Sequence, residues 1–207
     1  MKRIKSILLI AMLSLLGFSS CADKEEKIDD KDFVISLENF KSFTGKTLSQ
    51  VQESLNGYGY EYLGFDEDED ASVFEKGDYK LMFSFENDVV FAAGCMASTE
   101  KAIAFVDYID YASKCATYAS KGSYDYESFI LFLDSYEEFD DYQDHMIAFN
   151  ENKDDVEFSI QHWVNDNEAF QVWFEAEDVK PLYVIAYINI NLAPDFKSTK
   201  STLFSPK

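Results

Sequence analysis

The stretch that decides the fold is Thr47-Leu48-Ser49-Gln50-Val51-Gln52-Glu53-Ser54-Leu55-Asn56-Gly57-Tyr58-Gly59-Tyr60-Glu61-Tyr62-Leu63-Gly64-Phe65. In its first half Leu48, Val51 and Leu55 share one face of a helix, Thr47 stands at the cap position with Gln50 three residues on, and Asn56-Gly57 stops the turn. From Tyr58 the apolar period becomes two, and it stays two for the next forty or so residues. Runs at 58–65, 72–75, 79–85 and 89–96 are rich in β-branched and aromatic residues. Asp66 to Asp70, Lys76-Gly77-Asp78 and Asn87-Asp88 separate them and carry turn chemistry. The expectation is an antiparallel meander of four strands behind a helix.

Upstream, Phe33, Val34, Leu37, Phe40 and Phe43 fall at helical spacing, and Thr44-Gly45 ends that segment. Downstream the same order recurs. Residues 99–119 read as a long helix, Lys121-Gly122-Ser123 as a break and 126–139 as a second helix, with strands near 145–149, 156–164, 170–177 and 182–191. A constant offset places Phe74 on Phe149 and Phe83-Ser84 on Phe158-Ser159, and a slightly larger one places Asn87-Asp88 on Asn165-Asp166. The fold class is therefore α+β, with two helix-helix-four-stranded antiparallel units in tandem at 33–97 and 98–192 and a C-terminal tail at 193–207. In the long helix Ala102, Phe105, Val106, Ile109, Ala112 and Ala116 line one flank and Tyr108, Tyr111, Cys115 and Tyr118 another, so the helix is expected to be covered on both flanks, between the units.

A tandem plan of this kind resembles the β-lactamase-inhibitor-protein-like fold, and the Thr47-to-Leu55 helix is similar to the Thr-x-x-x-Val helix of small outer-membrane assembly lipoproteins. The resemblance implies a protein that works by binding other proteins across an aromatic-rich sheet face. It implies no particular partner.

The chain has 207 residues, 39 acidic side chains and 18 basic ones, for a formal charge of −21. A nucleic-acid partner is excluded, since phosphate recognition concentrates Lys and Arg on one face and Arg occurs once, at Arg3. Aromatic residues make up 16% of the chain, enough apolar surface to offset the entropy of folding.

The N-terminus has the layout of an export signal: Lys2, Arg3 and Lys5, an apolar run from Ile7 to Leu16, then small residues before a cysteine. That run is shorter than the roughly 20 residues a membrane span needs. Leu16-Gly17-Phe18-Ser19-Ser20-Cys21 resembles the looser lipobox of Bacteroidota-type lipoproteins, with Phe18 where the strict pattern has Leu. The resemblance implies a signal peptide at 1–20, lipid attachment at Cys21 and a location at the outer membrane or cell surface. An ordinary signal peptide with an incidental cysteine is the alternative. Removing Lys2, Arg3 and Lys5 with the signal leaves 15 Lys against 39 acids, or −24. Residues 21–32 then form a charged tether, whose Lys24-Glu25-Glu26 resembles an acidic surface-export signal or is a plain spacer.

Within 156–177, a three-residue loop Asp166-Asn167-Glu168 would place Trp163 opposite Gln171 and Gln161 opposite Trp173, so that both Trp stand on one wet face as diagonal neighbours. Tyr183 and Tyr187 would join them if Leu182, Val184, Ala186, Ile188 and Ile190 face the core. Trp163, Trp173, Tyr183, Tyr187, Gln161 and Gln171 are then candidate binding residues, because Trp and Tyr give large rigid contact area. The partner would be a protein or, if the aromatics stack sugars, a glycan; the alternative is that a helix or the other unit covers this face.

Catalytic and metal motifs are missing. His145 and His162 are the only histidines, the latter at an apolar parity, and no zinc, lipase or phosphate-loop signature occurs. No cofactor or metal is expected. Asp66 to Asp70 lacks the Gly and bidentate Glu of a calcium loop and reads as a solvated turn. Cys95 and Cys115 are left as a disulfide or as two buried thiols.

Overall fold

The computed structural model describes residues 33–68, 70–176 and 180–193; the expected signal peptide, Cys21, the expected tether and nearly all of the expected C-terminal tail lie outside them. Among the described residues, four helices pack on one antiparallel sheet of nine strands. Ser36 caps α1 (Leu37–Phe43) by accepting from the Asn39 amide. The Gln50 side chain accepts from the Thr47 amide at the start of α2 (Leu48–Leu55). Then come β1 (Glu61–Asp66), β2 (Ala71–Lys76), β3 (Tyr79–Glu86) and β4 (Val89–Ser98), the expected meander. Asn87 and Asp88, both at positive φ, make the β3–β4 turn, as their short polar side chains allow.

The second half differs from the expected order. After α3 (Lys101–Ala119) come a hairpin, β5 (Asp125–Phe132) and β6 (Tyr136–Phe139), then α4 (Tyr142–Glu151), and finally β7 (Val156–Val164), β8 (Glu168–Glu175) and β9 (Leu182–Asn189). Residues 126–139 are thus strands and 145–149 are helical, the reverse of the sequence reading. In 126–139 the apolar residues satisfy both periods, and the turn at Leu133-Asp134-Ser135 decides between them. Asp141 starts α4, its side chain accepting from the Gln143 and Asp144 amides. The offset that matched Phe74 to Phe149 therefore laid a strand on a helix.

Strand order is β1-β2-β3-β4-β9-β8-β7-β5-β6. The two halves meet where β4 pairs with β9, from Ser98–Leu182 to Ala92–Ile188, in one continuous sheet. Gly94 sits in this seam, where an added Cβ would lie 2.9 Å from the Ile185 carbonyl oxygen. Helix α3 does not lie between two units. It buries one stripe, Ala104, Tyr108, Ala112 and Cys115, while Val106 on the other flank is 65% exposed.

Both sides of the sheet are apolar. The main core lies under the helices and joins α1, α2, α3 and α4 to Phe74, Leu81, Phe83, Phe170, Phe174 and Ile185. A second cluster of Val73, Met82, Met96, Trp173, Leu182 and Val184, and a third around Val164, Ala169 and Ile188, occupy the opposite side and contain no helical residue.

Candidate functional site

The register of β7 against β8 settles where the candidate residues point. Val164 pairs with Ala169, Trp163 with Phe170, His162 with Gln171 and Ile160 with Trp173. Asn165 is drawn into the turn, because its side-chain oxygen accepts from the amides of both Asn167 and Glu168. The loop is therefore one residue longer than the sequence reading assumed, and a one-residue slip moves every side chain on one strand to the other face. Trp163 and Trp173 are not diagonal neighbours on a shared face.

Trp163, Gln161, Tyr183 and Tyr187 all point under the helices and are buried, Trp163 at 3% exposure. Trp163 stacks on Phe170 at 5.5 Å, and the Tyr183 hydroxyl donates to Asp107 of α3 at 2.8 Å. Trp173 and Gln171 stand on the helix-free side, Trp173 at 2% exposure among Phe158, Ile160 and Val184. The expected wet aromatic face is thus divided between two apolar environments. Alternation failed to separate core from solvent because Phe158, Ile160 and Val164 on one parity and Trp163 on the other are both withdrawn from water.

Gln161, read as a residue of the wet face, belongs with Ser159 to a buried polar network. His145 Nδ1 lies 2.9 Å from Ser128 Oγ and Nε2 lies 3.0 Å from Ser159 Oγ. The Tyr108 hydroxyl meets Ser159 Oγ at 2.7 Å and accepts from Gln161 Nε2 at 2.9 Å, while Tyr126 donates to Gln161 Oε1 at 3.0 Å. Burial drives the His145 pKa down to about 3, so the ring is neutral and both nitrogens serve as packing hydrogen-bond groups. His162, also buried, is pushed down to about 4.

A cluster missed in the sequence surrounds Glu168, the first residue of β8. Its carboxylate accepts from Lys41 of α1 at 2.6 Å, Tyr118 of α3 at 3.0 Å, Tyr124 at 2.5 Å and Tyr187 of β9 at 2.5 Å. Burial alone would raise its pKa, but the hydrogen bonds from Lys41, Tyr124, Tyr187 and Tyr118 outweigh it and hold the group down to about 2. Four donors from separate elements converge on one carboxylate, which ties α1 to the second half of the chain. The spacing of those residues carries no signal of this convergence.

Among the described residues no group of His, Cys, Asp or Glu has the arrangement of a metal site. Glu67, Asp68 and Asp70 lie in the β1–β2 turn, with Asp66 accepting from the Asp68 amide. Cys95 and Cys115 are free, buried thiols, and burial raises the pKa of each. A groove of about 450 Å³ lies between α2 and β1, lined by Gln52, Glu53, Asn56, Tyr60 and Tyr62. No described helix is long and apolar enough to cross a membrane. Comparison with family models, curated proteins and solved structures finds no match.

Proposed function

We propose that this chain is an exported, non-enzymatic protein-binding module, lipid-anchored at Cys21 at the outer membrane or cell surface, which recognises a partner through the helix-free side of its sheet. One observation carries the reading: that side presents Trp173 within a field of Val73, Met82, Met96, Ile160 and Val184, with no described helix packed on it. An apolar sheet face requires cover, and the partner is proposed to supply it on this side. The enclosure of His145 in a buried hydrogen-bond network supports a non-enzymatic role. The sugar-stacking alternative loses its main support, because Trp163 and Trp173 do not share a face. A tandem origin of the two halves, similar to the β-lactamase-inhibitor-protein-like plan, is supported by β3-β4 and β9-β8 meeting back to back at the seam.

The burial of both tryptophans favours a second reading, a purely structural envelope lipoprotein. Capture of envelope proteins and a glycan panel by the full chain, compared with Met82→Lys/Ile160→Lys, separates the two. Specific capture of a protein that the variant loses, with its circular dichroism spectrum retained, supports recognition. Equal capture by both chains removes the helix-free face from the function.

A further inference from the structure

Strand β1, at one end of the described sheet, shows water an unusual row of side chains. Leu63 is 51% exposed, Phe65 55% and Tyr62 36%. Edge strands are commonly guarded by charge, Pro or a bulge. Here a bulge is present, but it aims apolar residues rather than hiding them. Tyr62 pairs with Phe74 and Phe65 with Ser72, so three steps along β1 span two along β2. Phe74 and Ser72 share a side of β2. The extra residue therefore brings the Tyr62 and Phe65 rings to one side of β1, the side of the helices, where plain alternation would have separated them. Gly64, at φ +117°, supplies the backbone conformation this needs.

On that side β1 and the end of α2 flank the groove of about 450 Å³, a volume within the range of ligand sites. Leu55, Phe74 and the Tyr62 ring, 4.9 Å from that of Phe74, make its apolar part. The exposed Gln52, Glu53 and Asn56 make its rim. Gln52, Glu53 and Leu55 belong to the last turn of α2, whose carbonyl end carries partial negative charge, and that turn holds no basic side chain. Glu53 is the one charged residue in the lining. An apolar recess with a negative rim suits a ligand that is apolar at one point and cationic beside it. A second copy of this chain does not fit that description. Antiparallel pairing of β1 with itself would set Glu61 against Asp66, and the strand at the other end of the described sheet, β6, carries Glu137 and Glu138. Like charges directly opposite are destabilising.

We infer that the groove between α2 and β1 binds an extended segment of a partner protein in which an apolar side chain and a Lys or Arg stand two residues apart. The apolar side chain lies against Tyr62, Phe74 and Leu55, and the cation lies at Glu53. Residues two apart in an extended chain point the same way, about 7 Å from each other. This site opens on the opposite side of the sheet from Trp173 and does not rest on the recognition face proposed above.

The test screens the full chain against an array of heptapeptides that carry Lys or Arg and, two residues on, each apolar residue in turn, beside a matched array with Glu in place of the cation. Binding to members of the basic array and to none of the acidic one is expected, weakening as salt is raised. Titrating the tightest of these peptides into isotopically labelled full chain should shift the amides of Gln52 to Asn56 and of Glu61 to Phe65. Glu53→Lys should weaken binding about tenfold with circular dichroism unchanged, whereas Met82→Lys/Ile160→Lys should bind as the unaltered chain does. Equal binding to both arrays, no binding to either, or amide shifts that avoid the groove overturn the inference. So do groove shifts produced by concentrating the protein alone, which would assign the site to a second copy.

Discussion

Trp163 and Trp173 point to opposite sides of the same sheet: Trp163 stacks on Phe170 at 17° beneath the helices, and Trp173 pairs with Ile160 on the side without them. Their ring contacts are separate, Tyr126, Tyr142 and Phe170 for the first and Phe158 for the second. Trp163→Ala is expected to destabilise the fold by about 3–5 kcal/mol. Combined with Trp173→Ala, the costs should add to within about 0.5 kcal/mol, as for sites without shared partners. Urea unfolding of the two single variants and the double variant measures this; a coupling well above that value would mean the residues touch.

Glu168 gives the fold an acid limit. Its carboxyl pKa is about 2 in the folded chain against an ordinary 4.5, so the unfolded chain takes up the proton first as pH falls. The stabilisation is complete above about pH 4.5 and is lost on the way down to about pH 2. Glu168→Gln should cost about 1–2 kcal/mol at neutral pH, a modest figure because Lys41 is half exposed. The difference in unfolding free energy between the two chains should shrink steadily across that window, and a difference independent of pH would contradict the assignment.

His145 acts at a higher pH. Its ring pKa is about 3 in the folded state against 6.5, so the unfolded chain again binds the proton first and stability falls from about pH 6.5 downward. His145→Ala should remove its share of this limb, leaving the share of His162, whose pKa is about 4, and should cost about 2–4 kcal/mol by leaving Ser128, Ser159 and Tyr108 short of partners. Nuclear magnetic resonance titration of the imidazole should show no protonation between pH 5 and 8.

Gly94 is the tightest point of the seam between the halves. An added Cβ would meet the Ile185 carbonyl oxygen at 2.9 Å and the Ala186 Cβ at 3.2 Å, and backbone cannot swing aside as a side-chain end does. Gly94→Ala should cost about 1–3 kcal/mol, with hydrogen exchange accelerated at Ile185 and Ala186. Unchanged exchange there would mean the seam accommodates the methyl group.

Much of the first half could be read from its residues because each local signal agreed with the next: a capped helix, a stop at Asn56-Gly57, and turns whose residues tolerate positive φ at Asn87 and Asp88. The second half resisted because the signals conflicted. Tyr126 to Phe139 satisfies two periods, and the N-cap at Asp141 was lost among so many acids. The candidate site turned on Asn165, whose side chain captures two amides and lengthens a loop by one residue. Alternation along a strand reports which residues share a side, but a sheet apolar on both sides gives no hint of which one the helices take. Glu168 with its phenols and ammonium is a purely tertiary convergence.

The pairing of β4 with β9 sets a schedule. In a chain made from its N-terminus, Val89–Ser98 is complete well before its partner Leu182–Asn189 exists, so while the residues between them are made one edge of the meander stands open with its amides and carbonyls unmatched. The last strand to emerge is the one that closes the middle of the sheet. A protein arranged this way needs its unfinished edge kept from other chains until the final residues of β9 arrive, and whatever escorts it must hold on until then.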